Sequence, residues 1–201
     1  SSNIENLIGS DFNDTFGGDS GANTINAGSG NDAIYGNGGA DFLYGEAGND
    51  DFWLSGTDAY DDTYDDTYDG GADYDELQFS ADAYFNLSSV FIDIERVDMN
   101  GFDAIAQINS GFDFTGMVVT SRGDLLGQGG NETITGTDST DDIYGFAGND
   151  TLSGGLGSDN IYGGAGGDII NGNDGDDNFY ITGTEGIGDT YNGGANNDDL
   201  Y

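Results

Sequence analysis

The chain has 201 residues, with 39 Asp or Glu against two basic side chains and a formal charge of −37 at pH 7. It contains no Cys, His, Lys or Pro, which excludes thiolate or imidazole metal sites, disulfides and any triad that needs an imidazole base. The sign of the charge argues against nucleic acid and anionic membrane as partners, and no run of about 18 apolar residues exists to insert in a bilayer.

Phe, Ile, Leu and Val together make up about a fifth of the residues, close to the level at which a highly charged chain stays disordered. Self-repulsion opposes compaction further, so the fold needs an external source of positive charge. A hard divalent cation suits a chain of carboxylates and carbonyls, and Ca²⁺ takes six to eight such oxygens.

In chain order, the first predicted array runs from Gly9 to Trp53 as five nine-residue blocks: GSDFNDTFG, GDSGANTIN, AGSGNDAIY, GNGGADFLY and GEAGNDDFW. Position 1 is nearly always Gly, position 6 usually Asp, and position 8 always Phe, Ile or Leu. Positions 1 to 6 hold the Gly, Asn, Asp and Ser of tight turns, and positions 7 to 9 alternate as a three-residue strand with position 8 inward. One block then makes half a turn and two make a coil of 18 residues. Parallel strands stack on each face, with Phe16, Ile25, Ile34, Leu43 and Phe52 lining a thin core. Helix competes poorly, because each interior Gly costs roughly 1 kcal/mol there.

Two looser blocks follow at 61–69 and 70–78, with Tyr68 and Leu77 at position 8 and a short duplication, Asp62–Asp65 repeated as Asp66–Asp69. Residues 79–126 lose the beat but keep strand-like alternation at 90–97, 104–108 and 117–120. They read as irregular coils continuing the stack, or alternatively as a separate small β domain. Both arginines, Arg96 and Arg122, lie here and are expected to pair with nearby carboxylates.

The beat returns from Gly127 to Tyr180 as GQGGNETIT, GTDSTDDIY, GFAGNDTLS, GGLGSDNIY, GGAGGDIIN and GNDGDDNFY, with looser blocks at 184–192 and 193–201. Its position-8 residues are Ile134, Ile143, Leu152, Ile161, Ile170 and Phe179, then Tyr191 and Leu200. The two arrays align at a constant offset, Gly9 on Gly136 and Phe52 on Phe179, so the chain is a tandem duplication. The expected organisation is 1–78, 79–126 and 127–201: an all-β parallel β-roll or β-solenoid of nonapeptide repeats, two arrays joined by irregular coils.

The blocks resemble the repeats-in-toxin (RTX, hemolysin-type) nonad G-G-x-G-x-D-x-U-x. Gly163–Asn171 and Gly154–Tyr162 match it at every specified position. The resemblance implies several Ca²⁺ ions, each between one loop and the next loop on the same edge. The lower loop would give its position-6 carboxylate and the carbonyls of positions 2 and 4; the upper loop would give its own carboxylate and the carbonyls of positions 1 and 3. Carried over, Ser10, Phe12 and Asp14 would face Ala27, Ser29 and Asp32, and Gly28, Gly30 and Asp32 would face Gly45, Ala47 and Asp50. In the second array, Thr137, Ser139 and Asp141 would face Gly154, Leu156 and Asp159. Gly155, Gly157 and Asp159 would face Gly172, Asp174 and Asp177, and Phe146, Gly148 and Asp150 would face Gly163, Ala165 and Asp168.

The remaining position-6 residues, Asp41, Asp66, Asp75, Asp189 and Asp198, join the same implied set. Two departures are Asn23, which brings no charge and should leave its site weak or empty, and Glu132, whose length suggests a solvated cap. Asp58, Asp61, Asp82 and Asp98 lie off the motif and read as surface charge.

The resemblance further implies an extracellular or cell-surface protein of adhesin, surface-layer or filament type, exported through a type I channel and folding on Ca²⁺, with end-to-end homo-assembly as one consequence of open solenoid ends. The alternative is a non-catalytic module of a secreted protease, lipase or alginate epimerase. No enzyme activity of its own is expected, since every acidic pair has a metal-binding role to fill first.

Overall fold

The computed structural model describes residues 5–54, 66–81, 83–85, 90–99, 101–106, 111–113, 117–121, 124–181 and 188–201. Asp58, Asp61, Asp82 and Arg122 lie outside them. By internal contacts the chain divides into two units, Ser1–Ala83 with Ser88–Phe102, and Tyr84–Leu87 with Asp103–Tyr201. All regular structure among the described residues is β.

In the first unit, one parallel sheet takes Asn6–Ile8, Thr24–Ser29, Phe42–Ala47, Thr67–Ala72 and Val90–Ile92 in that order. The other takes Thr15–Gly17, Ala33–Tyr35, Asp51–Leu54, Glu76–Phe79 and Arg96–Asp98. The chain alternates between them, one strand per nonad, so Ile25 pairs with Leu43 and Ile34 with Phe52, 18 residues on. The second unit repeats the plan. One sheet runs Ala104–Ala106, Leu125–Leu126, Asp142–Tyr144, Asn160–Tyr162, Asn178–Tyr180, Asp199–Leu200. The other runs Gly111–Asp113, Thr133–Thr135, Thr151–Leu156, Ile169–Asp174, Thr190–Ala195. Each unit is a parallel β-solenoid.

Strand pattern sets the core. Three-residue strands bury the middle residue and leave its neighbours half-exposed, so Ile25, Ile34, Leu43, Phe52, Ile134, Ile143, Leu152, Ile161, Ile170 and Phe179 form single files between the sheets. Burying each aliphatic member is worth about 1.5–3 kcal/mol. Phe16, in the first coil, is half-buried, and Leu200, in the last, is 56% exposed.

Insertions are absorbed between strands. Leu43 pairs with Tyr68 and Phe52 with Leu77, 25 residues on, yet the inward set stays inward. A one-residue slip would have turned every side chain to the other face. Within 79–126, Val90–Ile92 and Arg96–Asp98 extend the sheets of the first unit, and Ala104–Ala106, Gly111–Asp113 and Leu125–Leu126 extend those of the second. Within this stretch Ala104–Ala106 also pairs with Leu125–Leu126, which in turn pairs with the nonad strand Asp142–Tyr144.

Candidate metal centre

The position-6 carboxylates point into the stack, not out to water. Asp32, Asp41, Asp50, Asp75, Asp141, Asp150, Asp159, Asp168 and Asp177 are all buried. All of these except Asp141 accept, through Oδ1, the backbone N–H of the position-6 residue one coil below: Asp32 from Asp14 at 2.7 Å, Asp41 from Asn23 at 2.7 Å, Asp50 from Asp32 at 2.8 Å. Asp66, Asp75, Asp150, Asp159, Asp168, Asp177, Asp189 and Asp198 repeat the bond at 2.8–3.1 Å. Four columns of carboxylates result, one per loop edge of each unit.

The second carboxylate oxygen separates two kinds of loop. In the first coil of each array it is closed from within. The position-2 N–H donates to the side chain of its own position 6 in Ser10–Asp14 at 2.9 Å, Asp19–Asn23 at 2.9 Å, Gln128–Glu132 at 3.0 Å and Thr137–Asp141 at 2.7 Å. The Ser10 and Thr137 hydroxyls donate to the same carboxylates. From the next coil onward, position 2 adopts positive φ at Gly28, Asn37, Glu46, Gly71, Phe146, Gly155, Gly164, Asn173 and Gly194, turning that N–H away. The Oδ2 atoms of Asp32, Asp50, Asp75, Asp150, Asp168 and Asp177 are then buried with no hydrogen-bond partner among the described residues. A buried carboxylate oxygen left so is expensive unless a cation meets it.

Backbone oxygens gather at those atoms. A Cβ on Gly45 would strike Asp50 Oδ2 and lie 2.6 Å from the Gly70 carbonyl oxygen of the next coil. The same pairing surrounds Gly136 (Asp141 with the Gly154 carbonyl), Gly145 (Asp150 with Gly163) and Gly154 (Asp159 with Gly172). At these positions Gly leaves room for the carboxylate and carbonyl above its Cα; among the regular blocks Ala27 alone carries a Cβ there. Each loop stacks directly on the loop below, position 2 over position 2 and position 4 over position 4. Gly28 and Gly30 stand on the Ser10 and Phe12 carbonyls, Gly155 and Gly157 on those of Thr137 and Ser139, Gly164 and Gly166 on those of Phe146 and Gly148.

Position-3 carbonyls accept N–H groups from the coil below: Ala47 from Gly30, Ala165 from Gly148 and Asp174 from Gly157, at 2.8–2.9 Å. The position-2 carbonyls of Ser10, Thr137 and Phe146 accept from Ser29, Leu156 and Ala165 at 2.6–3.2 Å. Each carbonyl keeps a second lone pair. The Ala27 carbonyl lies over Gly9.

Burial first, then neighbouring carboxylates, pushes Asp50 and Asp150 up to about 6 and Asp75 up to about 7, against the lowering effect of the N–H each accepts. Asp32, Asp168 and Asp177 are raised by burial in the same way. Among the described residues no three acidic side chains converge on one point. A cation here takes at most two carboxylates and completes its shell with carbonyls. An all-oxygen donor set of mixed carboxylates and carbonyls fits Ca²⁺, and fits Mg²⁺ less well because Mg²⁺ holds its water and demands strict octahedra.

Glu132 and Asp98 differ from the sequence reading. Glu132 is 1% exposed, because it folds back onto the Gln128 N–H instead of extending into solvent. Asn23 is equally buried, its amide oxygen taken by the Asp19 N–H. At Asp66 and Asp189 the Oδ2 accepts the hydroxyl of Tyr68 or Tyr191, at 2.9 and 2.7 Å, in blocks that lack the Gly of the regular loop. Asp98, read as surface charge, is half-buried, whereas Arg96 pairs with a nearby carboxylate as expected, Glu76 at 3.4 Å.

The sequence reading missed a second ladder at position 5. Asn13 accepts the N–H of Asn31, Asn31 that of Asn49, and Asn131 that of Asn149, with Thr140 and Ser158 acting alike on the other edge. Asn at position 5 of alternate blocks, at 13, 31 and 49 and again at 131 and 149, was its visible signal.

Stacked parallel coils with oxygen-lined, glycine-floored loops define a cation-binding repeat protein. The family model of the RTX calcium-binding nonapeptide repeat matches in four copies, residues 1–32, 17–52, 126–161 and 153–180, which together cover more than half of the chain. The chain belongs to that family, and its repeats form a calcium-binding structural segment. No curated protein matches the chain.

Proposed function

We propose that the chain is a non-catalytic segment of a secreted or cell-surface protein, of adhesin, surface-layer or filament type, whose folding waits on Ca²⁺. The supporting observation is the set of buried Oδ2 atoms at Asp32, Asp50, Asp75, Asp150, Asp168 and Asp177 that no donor among the described residues meets. At a charge of −37 these oxygens repel one another until a divalent ion joins adjacent coils. Extracellular Ca²⁺ modules bind at roughly 10⁻⁴–10⁻³ M, so a chain tuned to that range stays expanded inside a cell and folds after export. Far-ultraviolet circular dichroism with and without millimolar Ca²⁺ tests the reading. A gain of β signal on Ca²⁺ is expected; an unchanged spectrum defeats it.

A further inference from the structure

We propose that a further Ca²⁺ site lies beyond the nonads of the first array, between the Gly70–Asp75 loop and the short bend Asp93–Glu95, with Glu95 standing where the motif has Asp. It rests on the calcium reading above and adds a rung that the repeat pattern does not announce.

Strand registers locate the bend. Ile92 pairs with Asp69 and Arg96 with Glu76, so the three residues Asp93, Ile94 and Glu95 stack over the six from Gly70 to Asp75. The upper turn is three residues short of a regular loop and matches no part of the nonad. It nevertheless delivers two of the three groups that a regular upper loop would deliver, the carboxylate and one carbonyl. Glu95 Oε2 accepts the Asp75 N–H at 2.9 Å, the bond that Oδ1 makes at the other rungs, and the longer side chain makes up for the shorter turn. The Asp93 carbonyl occupies the space over Gly70 beside Asp75 Oδ2, the place held over Gly45 by the Gly70 carbonyl. Asp93 reaches it through a positive φ of 48°.

The lower loop is of the open kind. Gly71 has φ 97°, and Asp75 is fully buried with its Oδ2 unmet by any hydrogen-bond donor among the described residues. Arg96, next in sequence to Glu95, is engaged by Glu76 at 3.4 Å. The donors for the ion are therefore the Asp75 and Glu95 carboxylates with the Asp93 carbonyl above and the Gly71 and Asp73 carbonyls below. Asp93 is exposed, so water completes the shell and this rung binds more weakly than an interior one.

Counting bound ions by native mass spectrometry at fixed free Ca²⁺, with circular dichroism on the same samples, tests the site. In Glu95→Gln the amide oxygen still accepts the Asp75 N–H, so the spectrum should hold while the saturated protein carries one Ca²⁺ fewer. Asp93→Asn removes an adjacent charge but keeps the carbonyl, and should leave the count unchanged. Equal counts in Glu95→Gln and the parent chain overturn the site. So does a loss in both variants, which would mean a general effect of charge, or a collapse of the spectrum in Glu95→Gln, which would make Glu95 structural. A parent chain that binds no Ca²⁺ at all sinks the calcium reading itself, a different result.

Discussion

The unit of recognition is one carboxylate with two tasks. Asp50 accepts the Asp32 N–H with one oxygen and leaves the other buried beneath the Gly70 carbonyl. Asp50→Asn keeps the acceptor and removes the charge, so the metal-free protein should not weaken, whereas the Ca²⁺ concentration at half-folding should rise about tenfold or more, one factor of ten per 1.4 kcal/mol. Asp14→Asn touches a carboxylate already held by Ser10 and should shift that midpoint far less. Ca²⁺ titrations followed by circular dichroism separate the two, and equal shifts would erase the distinction between open and closed loops. The glycine floor makes a companion prediction. Gly45→Ala forces a Cβ into the Asp50 carboxylate and should cost about 1–3 kcal/mol in saturating Ca²⁺. Gly38→Ala meets nothing nearer than 3.9 Å and should stay within about 0.5 kcal/mol in the same urea melts.

At the scale of the nonad, what could be read from sequence was what depends on local steric rules. Alternation put Ile34 and Phe52 inward, and the constant block length put their strands in register. The acids of the ladder were visible for the same reason. The kind of loop was not, because it depends on φ at position 2. Asn37, Glu46, Phe146 and Asn173 adopt positive φ as Gly28 does, held there by the coil beneath, so glycine content does not mark open loops. Glu95 was hidden because its role follows from a turn length that only strand pairing reveals.

Loop chemistry also sets a pH response. Burial raises Asp50 and Asp150 to about 6 and Asp75 to about 7, above the roughly 4 of an unfolded carboxylate. The folded metal-free chain thus holds more protons than the unfolded one between those values. Its stability is greatest below the unfolded value and is lost as pH rises through about 6 to 7. Ca²⁺ needs the deprotonated carboxylates, so its effect runs the other way. Lowering pH from about 8 to about 5 should raise the β signal in a chelator and weaken Ca²⁺ binding in its presence. Parallel pH curves in the two conditions would show that the buried acids are not the ligands.

For the whole molecule, two physical pictures of cation dependence make different demands. If the charge of −37 opposed folding only through long-range repulsion, any salt would serve, since the screening length falls to about 3 Å at 1 M. The structure places the decisive oxygens elsewhere, under glycine backbones and out of reach of an ion atmosphere. Those atoms need an ion that enters the loop, sheds most of its water and accepts six or more oxygens. In chelator the chain should be expanded, with a radius of gyration approaching the roughly 50 Å of an unfolded chain of this length. Small-angle scattering should then show marked contraction at millimolar Ca²⁺, little at equal Mg²⁺, and only partial contraction in 1 M NaCl without folded-state circular dichroism. Full folding in NaCl alone would assign the dependence to screening and leave the open carboxylates without a ligand. Folding by millimolar Ca²⁺ alone, at a small fraction of that ionic strength, places the requirement inside the loops.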